Sequence, residues 1–195
     1  MSTPSLTVRR GALADALDPS LALNLALVLG AAALVGALAQ VSIPLGFTPV
    51  PLTGQTLGVL LAGAALGWRR AGTAMGLYVL GGLAGVPWFA GHAHGAPGAT
   101  FGYLIGFVAA ASVTGALAQA GQDRTVLRAG AAMLVGTLII YAFGVTWLAA
   151  ALHVSLGRAI SLGLVPFVAG DLIKAAVAGL ILPSAWRLVG HRARP

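Results

Sequence analysis

Apolar residues run along this chain in long, nearly unbroken blocks, with no alternation of period two and few charges inside them. Blocks of about 20 mostly apolar residues read as membrane-spanning helices, and four are plain: 21–41, 101–120, 126–151 and 166–189. A fifth stretch, 53–83, is too long for one span and is broken at Gly67-Trp68-Arg69-Arg70, which predicts two shortened helices joined by a tight turn. Backbone groups in hydrocarbon must be hydrogen-bonded internally, and without strand-like alternation helices are the solution. The expectation is an all-α integral membrane protein, one six-helix domain over 21–189 with short cytoplasmic tails at 1–20 and 190–195. The first twenty residues are too polar to supply the apolar core of a cleaved signal peptide.

Composition strengthens this reading. Of 195 residues 58% are hydrophobic and only 8% charged, against about 25% charged in soluble domains. The net charge of +7 is almost entirely arginine. Arginines 9, 10, 69, 70, 124, 128, 187, 192 and 194 all fall on one side of a six-span chain, with Arg158 alone opposite. The positive-inside rule puts that side, and both termini, in the cytoplasm, and a multi-pass protein of the bacterial cytoplasmic membrane follows. The arginines sit in pairs between apolar runs and form no basic patch interleaved with aromatics, so nucleic acid is not the expected partner; the lipid bilayer is. There is no cysteine, hence no disulfide, thiolate metal site or cysteine nucleophile.

Small residues recur four apart in the first span, at Ala22 and Ala26 and at Ala33 and Ala37, a spacing that lets helices approach closely. It serves packing within the chain or docking of a partner helix. The connections on the side opposite the arginines are unusual: 42–53 (SIPLGFTPVPLT) and 85–100 (GVPWFAGHAHGAPGAT) are rich in Pro, Gly and aromatics. Prolines 44, 49 and 51 fix φ and remove donors, so the first must be extended. Pro/Gly-interrupted, shortened spans point to a binding site in transporters; hairpin loops resting on the membrane surface are the plainer alternative. His92 and His94 form a His-x-His with no third ligand nearby, and read as solvent-facing.

Asp171 and Lys174 lie inside the apolar block PFVAGDLIKAAVAGLILP, the one acid and one lysine of the core blocks. At i and i+3 they share a helical face. An ionised group in a span costs about 2.5–3.5 kcal/mol on insertion scales. Three readings account for the pair: a structural ion pair, a proton relay, or a site that offers an acceptor and a donor side by side to a polar ligand. Catalysis is not expected, since the spans hold no nucleophile with a base and no cluster of His and carboxylates.

Several stretches together resemble the BioY family, the biotin-capturing membrane components of energy-coupling factor vitamin transporters. They are PVPLTGQTLGVLLAGAALG (49–67), LYVLGGLAGVPWFAG (77–91), ATFGYLIGF (99–107), YAFGVTWLA (141–149) and GDLIKA (170–175). The resemblance spans about 21–183 in the family's order. It implies six helices, a biotin site near the outer surface under the first and third outer loops, and Asp171 and Lys174 as polar ligands to the ureido ring or the carboxylate. The sequence departs from the family at Gly54, where an apolar residue is usual, and at His92 and His94, where glycines are.

Thr53 and Gln55 are further candidate contacts at the start of span two. Trp88, Phe89, Tyr103 and Trp147 fall at outer helix ends, where an aromatic belt and a cover for a bicyclic ring are equal readings; Tyr103 adds a hydroxyl. Trp68 and Trp186 lie beside cytoplasmic arginines and read as interfacial anchors. With one lysine, inside GDLIKA, the chain cannot build a P-loop. Any ATP-driven step must come from other subunits, no cofactor is expected in this chain, and the resemblance implies ATP acting through two partner ATPase subunits and a transmembrane coupling subunit. Some members of the family work without that module. An alternative of the same architecture is transport of another small vitamin-like solute.

Overall fold

A computed structural model describes residues 11–16, 20–95 and 98–192. The chain is helical almost throughout: α1 (Leu21–Gln40), α2 (Gln55–Leu66), α3 (Trp68–Leu83), α4 (Phe101–Gln119), α5 (Val126–Leu152), α6 (Leu156–Gly163) and α7 (Val168–Arg192). Four stretches are long and apolar enough to cross a membrane: α1, α4, α5 and the composite Leu156–Leu188. α2 and α3 have 12 and 16 residues, so they reach only about 18 and 24 Å at 1.5 Å per residue. The predicted break between them is a single residue. Gly67 takes φ 80° and closes α2 while opening α3, and a Cβ there would lie 2.7 Å from the Gln119 amide.

α4 is the central helix, packed against α2, α3 and α5, while α7 lies on α5 and α2 and α1 lies on α3 and α2. Its glycines allow this. A Cβ on Gly115 would fall 2.5 Å from the backbone of Trp68, and one on Gly106 3.0 Å from that of Ile140. The lipid-facing side is written in exposed leucines: Leu21, Leu25 and Leu29 of α1 are 75, 55 and 56% exposed. Ala22, Ala26, Ala33 and Ala37 are exposed as well.

The connection 42–53 is extended as its prolines require, and its ends pair as a two-residue antiparallel ladder, β1 (Ser42–Ile43) with β2 (Leu52–Thr53). The last span is found close to where it is expected, as α7 from Val168, but an unexpected short helix, α6, precedes it, and a 3-10 turn at Val165–Phe167 breaks the two apart. Pro166 is the cause: it has no N–H to give and disfavours helical backbone at the residue before it. The break is prepared at Leu164, with φ −127° and ψ −58°.

The arginine-rich end is tied together by polar contacts that hydropathy does not reveal. Asp123 is 1% exposed, accepts from the Trp186 indole at 2.5 Å and from Arg124 at 3.0 Å, and Arg124 stacks 3.3 Å from the centre of the Trp186 ring. Trp186 is therefore a latch between α7 and the α4–α5 turn rather than a simple interfacial anchor, and Asp171 is not the chain's one buried acid. Trp68 keeps the anchor arrangement, 48% exposed beneath Arg69.

Residues 11–16, assigned to the tail by polarity, form a 3-10 turn that buries Ala12 and Ala14. Asp15 there meets Arg70 at 2.6 Å. Burial pushes its carboxyl up, but the Arg70 guanidinium and the Ala12 N–H outweigh this and hold it below the usual carboxylate value. Ser20 caps α1 and residues 190–192, expected in the C-terminal tail, belong to α7, while the remaining tail residues, with Arg9, Arg10 and Arg194, lie outside the described residues.

Candidate functional site

At the end of the bundle opposite the arginine cluster lies a cavity of about 260 Å³, roofed by the connections 42–53 and 84–100 and by Gly163. α2, α4, α5 and α7 form its walls. Its middle is apolar and aromatic: Phe89, Phe101, Leu104, Phe107, Ile140 and Phe167. Such a wall with a few convergent polar groups is the ordinary composition of a small-molecule site.

The polar end is built on Asp171, which projects from the first turn of α7 and is 6% exposed. Its Oδ1 accepts from Lys174 Nζ at 3.0 Å and from the Thr56 hydroxyl at 3.5 Å, and its Oδ2 accepts from the Tyr141 hydroxyl. Lys174 also donates to Thr56 Oγ1 at 2.7 Å. Three helices thus hold the carboxylate before any ligand arrives. Lys174 has three N–H groups, of which two are engaged by these bonds, and each carboxylate oxygen has two lone pairs. Acceptor capacity on Oδ2 and one ammonium N–H are left to offer, side by side, into the cavity.

A second polar cluster lies at the start of α2. Gln55, 5% exposed, accepts at Oε1 from the Thr53 hydroxyl (3.1 Å) and donates from Nε2 to the Tyr78 hydroxyl (2.7 Å). Tyr78 passes the chain on to the Trp88 carbonyl at 3.1 Å. Gln40 donates to that carbonyl and to that of Phe89, both at 3.2 Å, while its Oε1 accepts the His92 N–H at 3.1 Å. A continuous relay thus runs from the cavity wall to the loop that covers it. The same loop is seated by shape: the Phe89 and Trp88 rings occupy the space that Cβ atoms on Gly82 and Gly81 would fill, at 2.1 and 2.3 Å.

Of the residues expected at the site, Asp171, Lys174, Thr53, Gln55, Phe89 and Tyr103 line this one cavity. Tyr103 lines it from the first turn of α4 and donates to the Gly163 carbonyl at 2.7 Å. Trp88 and Trp147 do not line it. Trp88 turns into the cleft between Gly36 of α1 and Gly81 of α3, its indole N–H without a partner among the described residues. Trp147 is 39% exposed, packs edge-on against Phe101 and donates to the Gly98 carbonyl at 3.0 Å, so it braces the outside of the loop. His92 and His94 are exposed, and no group of three or more potential metal ligands occurs among the described residues.

Tyr141 and Thr56 escaped the sequence reading. Tyr141 carried a usable signal, because a phenol inside an apolar span needs a hydrogen-bond partner and the core offers few. Thr56 carried none, since a threonine in a helix ordinarily satisfies itself on the preceding turn.

Comparison with known proteins places this architecture. The family model described as "BioY family" matches residues 9–191. The biotin transporter BioY of Thermotoga maritima is 44% identical over 147 residues, covering 73% of this chain and 83% of the relative. That of Rhizobium etli is 38% identical over 156 residues, covering 71% and 79%. A crystal structure of the S-component for biotin from an ECF-type ABC transporter superposes with a TM-score of 0.77 at 26% identity, over 84% of this chain and 90% of the other. With its family model matched almost end to end and its helices arranged as in that S-component, the chain belongs to the BioY family.

Proposed function

We propose that this protein takes up biotin: it captures the vitamin in the cavity headed by Asp171 and Lys174 and delivers it across the membrane as the substrate-binding component of an ECF-type transporter. The observation that carries this reading is the pre-set polar head of the cavity. Biotin's ureido ring presents N–H donors beside a carbonyl acceptor, and Asp171 Oδ2 with the remaining Lys174 N–H presents an acceptor beside a donor. The bicyclic ring then lies against the Phe89, Phe101 and Phe107 wall, with Tyr103 beneath it. Thr53 and Gln55 serve the polar remainder of the molecule.

The chain crosses the membrane six times in this reading, with α2 and α3 as shortened crossings and α7 as the last. The clustering of Arg69, Arg70 and Arg124 with the Trp186 latch at the end remote from the cavity supports cytoplasmic termini and a cavity open to the outside of the bacterial inner membrane. The exposed row Ala22, Ala26, Ala33 and Ala37 is the face for a transmembrane coupling subunit, which links the chain to two ATPase subunits. The direct test is titration of the purified protein with biotin. Saturable 1:1 binding is expected, and displacement of radiolabelled biotin by riboflavin or thiamine at equal concentration would instead mark a different vitamin as the substrate.

The relay to the cover loop makes a separate prediction. Tyr78→Phe removes the hydroxyl that joins Gln55 to the Trp88 carbonyl, leaving the buried Gln55 amide without its acceptor at about 1–3 kcal/mol. Biotin release should accelerate about tenfold with little change in association rate. Gln40→Leu should act alike, and the double variant should be less than additive. A stopped-flow chase with unlabelled biotin reads all three; an unchanged release rate in both single variants would remove the relay from the site.

A further inference from the structure

α6 is unlike the other helices: eight residues long, it divides its surface into three sectors rather than two. At 100° per residue, Ala159, Leu162 and Gly163 form one sector, and these are the residues it buries. Leu156 and Ile160, one turn apart, form an adjoining apolar edge that remains 56 and 38% exposed. Arg158 lies about 180° from that edge and is exposed, with Ser161 beside it. Protein contact, apolar exposure and polar exposure in successive sectors describe a helix at a boundary between hydrocarbon and water.

Its height in the bundle agrees. Trp186, latched at the arginine-rich end, is 18 residues along α7 from Val168, or about 27 Å, close to the ~30 Å hydrocarbon thickness of a bilayer. The start of α7 at Val168, and α6 just before it, therefore sit at the opposite interface. The exposed apolar edge also continues along the chain into the lipid-facing side of α7, through Val165 (59%), Val168 (40%) and Leu172 (53%).

The buried sector of α6 holds the rim of the cavity. Two carbonyls of its last turn, which no intrahelical N–H can satisfy, accept the Thr48 hydroxyl at Leu162 (2.8 Å) and the Tyr103 hydroxyl at Gly163 (2.7 Å). One bond fastens the connection 42–53 and the other fastens Tyr103 of α4. From this we infer that α6 is an interfacial helix seated in the lipid leaflet on the cavity's side, with Leu156 and Ile160 in the acyl boundary and Arg158 in the phosphate layer. This seating holds the cavity rim in place. The lipid contact is independent of the ligand's identity; its effect on retention rests on the biotin reading.

The absence of cysteine from this sequence makes a clean test possible. Leu156→Cys, Arg158→Cys, Ile160→Cys and Ser161→Cys are each labelled with a nitrobenzoxadiazole probe in phosphatidylcholine–phosphatidylglycerol vesicles. Probes at 156 and 160 should be quenched by nitroxide lipids and shielded from aqueous cobalt, and those at 158 and 161 the reverse. Equal access of cobalt to all four overturns the proposal. So does disulfide formation between Leu156→Cys copies at high lipid dilution, which would put a second copy on this edge.

In the same vesicles Leu156→Ser/Ile160→Ser should release biotin about tenfold faster, a difference of ~1.4 kcal/mol, and Leu156→Ile/Ile160→Leu should restore the wild-type rate. Unchanged release from the serine variant overturns the link to the rim. If the unsubstituted protein fails to hold biotin, the ligand assignment fails while the quenching pattern still decides the lipid contact.

Discussion

Asp171→Asn should weaken biotin binding by roughly one to two orders of magnitude while the protein still inserts and folds. The carboxylate is the meeting point of Tyr141, Lys174 and Thr56, and an amide cannot replace it. Its one oxygen can serve part of that set, and its NH₂ then faces donors. A hydrogen bond from a ligand N–H to the free lone pair of the ionised carboxylate is worth about 1.5–3 kcal/mol, so losing it gives roughly tenfold to hundredfold weaker binding. Lys174→Met should weaken binding less, because Asp171 keeps Tyr141 and Thr56.

The paired variant Asp171→Asn/Lys174→Met separates a ligand site from a structural ion pair. Breaking one side of a buried pair costs about 3–5 kcal/mol, whereas removing both charges together is often nearly neutral. The double variant should therefore melt close to the unsubstituted protein in a detergent thermal-shift assay and yet bind no biotin in a radioligand assay. Retained affinity would mean that the pair only braces α7. A proton relay predicts something else again, namely intact equilibrium binding with uptake lost.

What could be read in advance followed the physical scale of each signal. Spans, the break at Gly67 and the extended connection with Pro44, Pro49 and Pro51 rest on strong local terms: transfer of apolar side chains, positive φ and missing donors. Asp171 and Lys174 were legible because ionised groups in hydrocarbon are costly whatever surrounds them. The break before α7 was half-legible, since Pro166 could as well have opened a helix as ended one.

The indole positions were not legible, because a tryptophan at a helix end has the same sequence signature in lipid, in a cleft or over a ligand. Trp88 was decided by the absence of side chains at Gly36 and Gly81, and Trp147 by a carbonyl at Gly98. Trp186 resembled an anchor until Asp123, distant in sequence, turned out to sit beneath it. The same limit hid Tyr141: its need for a partner was visible, but which residue would answer it depended on how α5 and α7 pack.

Gly144→Ala should be nearly as damaging as loss of the carboxylate, although residue 144 offers no group to a ligand. The Tyr103 ring lies flat on Gly144, so an added Cβ would come within 2.3–2.5 Å of its carbons. The ring cannot retreat on the other side, where its hydroxyl occupies the space a Cβ on Gly163 would take, at 2.2 Å. Overpacking of this kind costs about 1–3 kcal/mol, and displacing the ring also breaks the bond to the Gly163 carbonyl, worth about 0.5–1.5 kcal/mol. The ring's open direction is the cavity that Tyr103 lines, so the displaced phenol occupies the ligand's own volume. Biotin affinity should fall by roughly one to three orders of magnitude, measured by titration in detergent. Adding Tyr103→Ala to Gly144→Ala vacates that volume and should recover part of the affinity, even though Tyr103→Ala alone weakens binding. A double variant no better than Gly144→Ala would show instead that the substitution acts by parting α4 from α5.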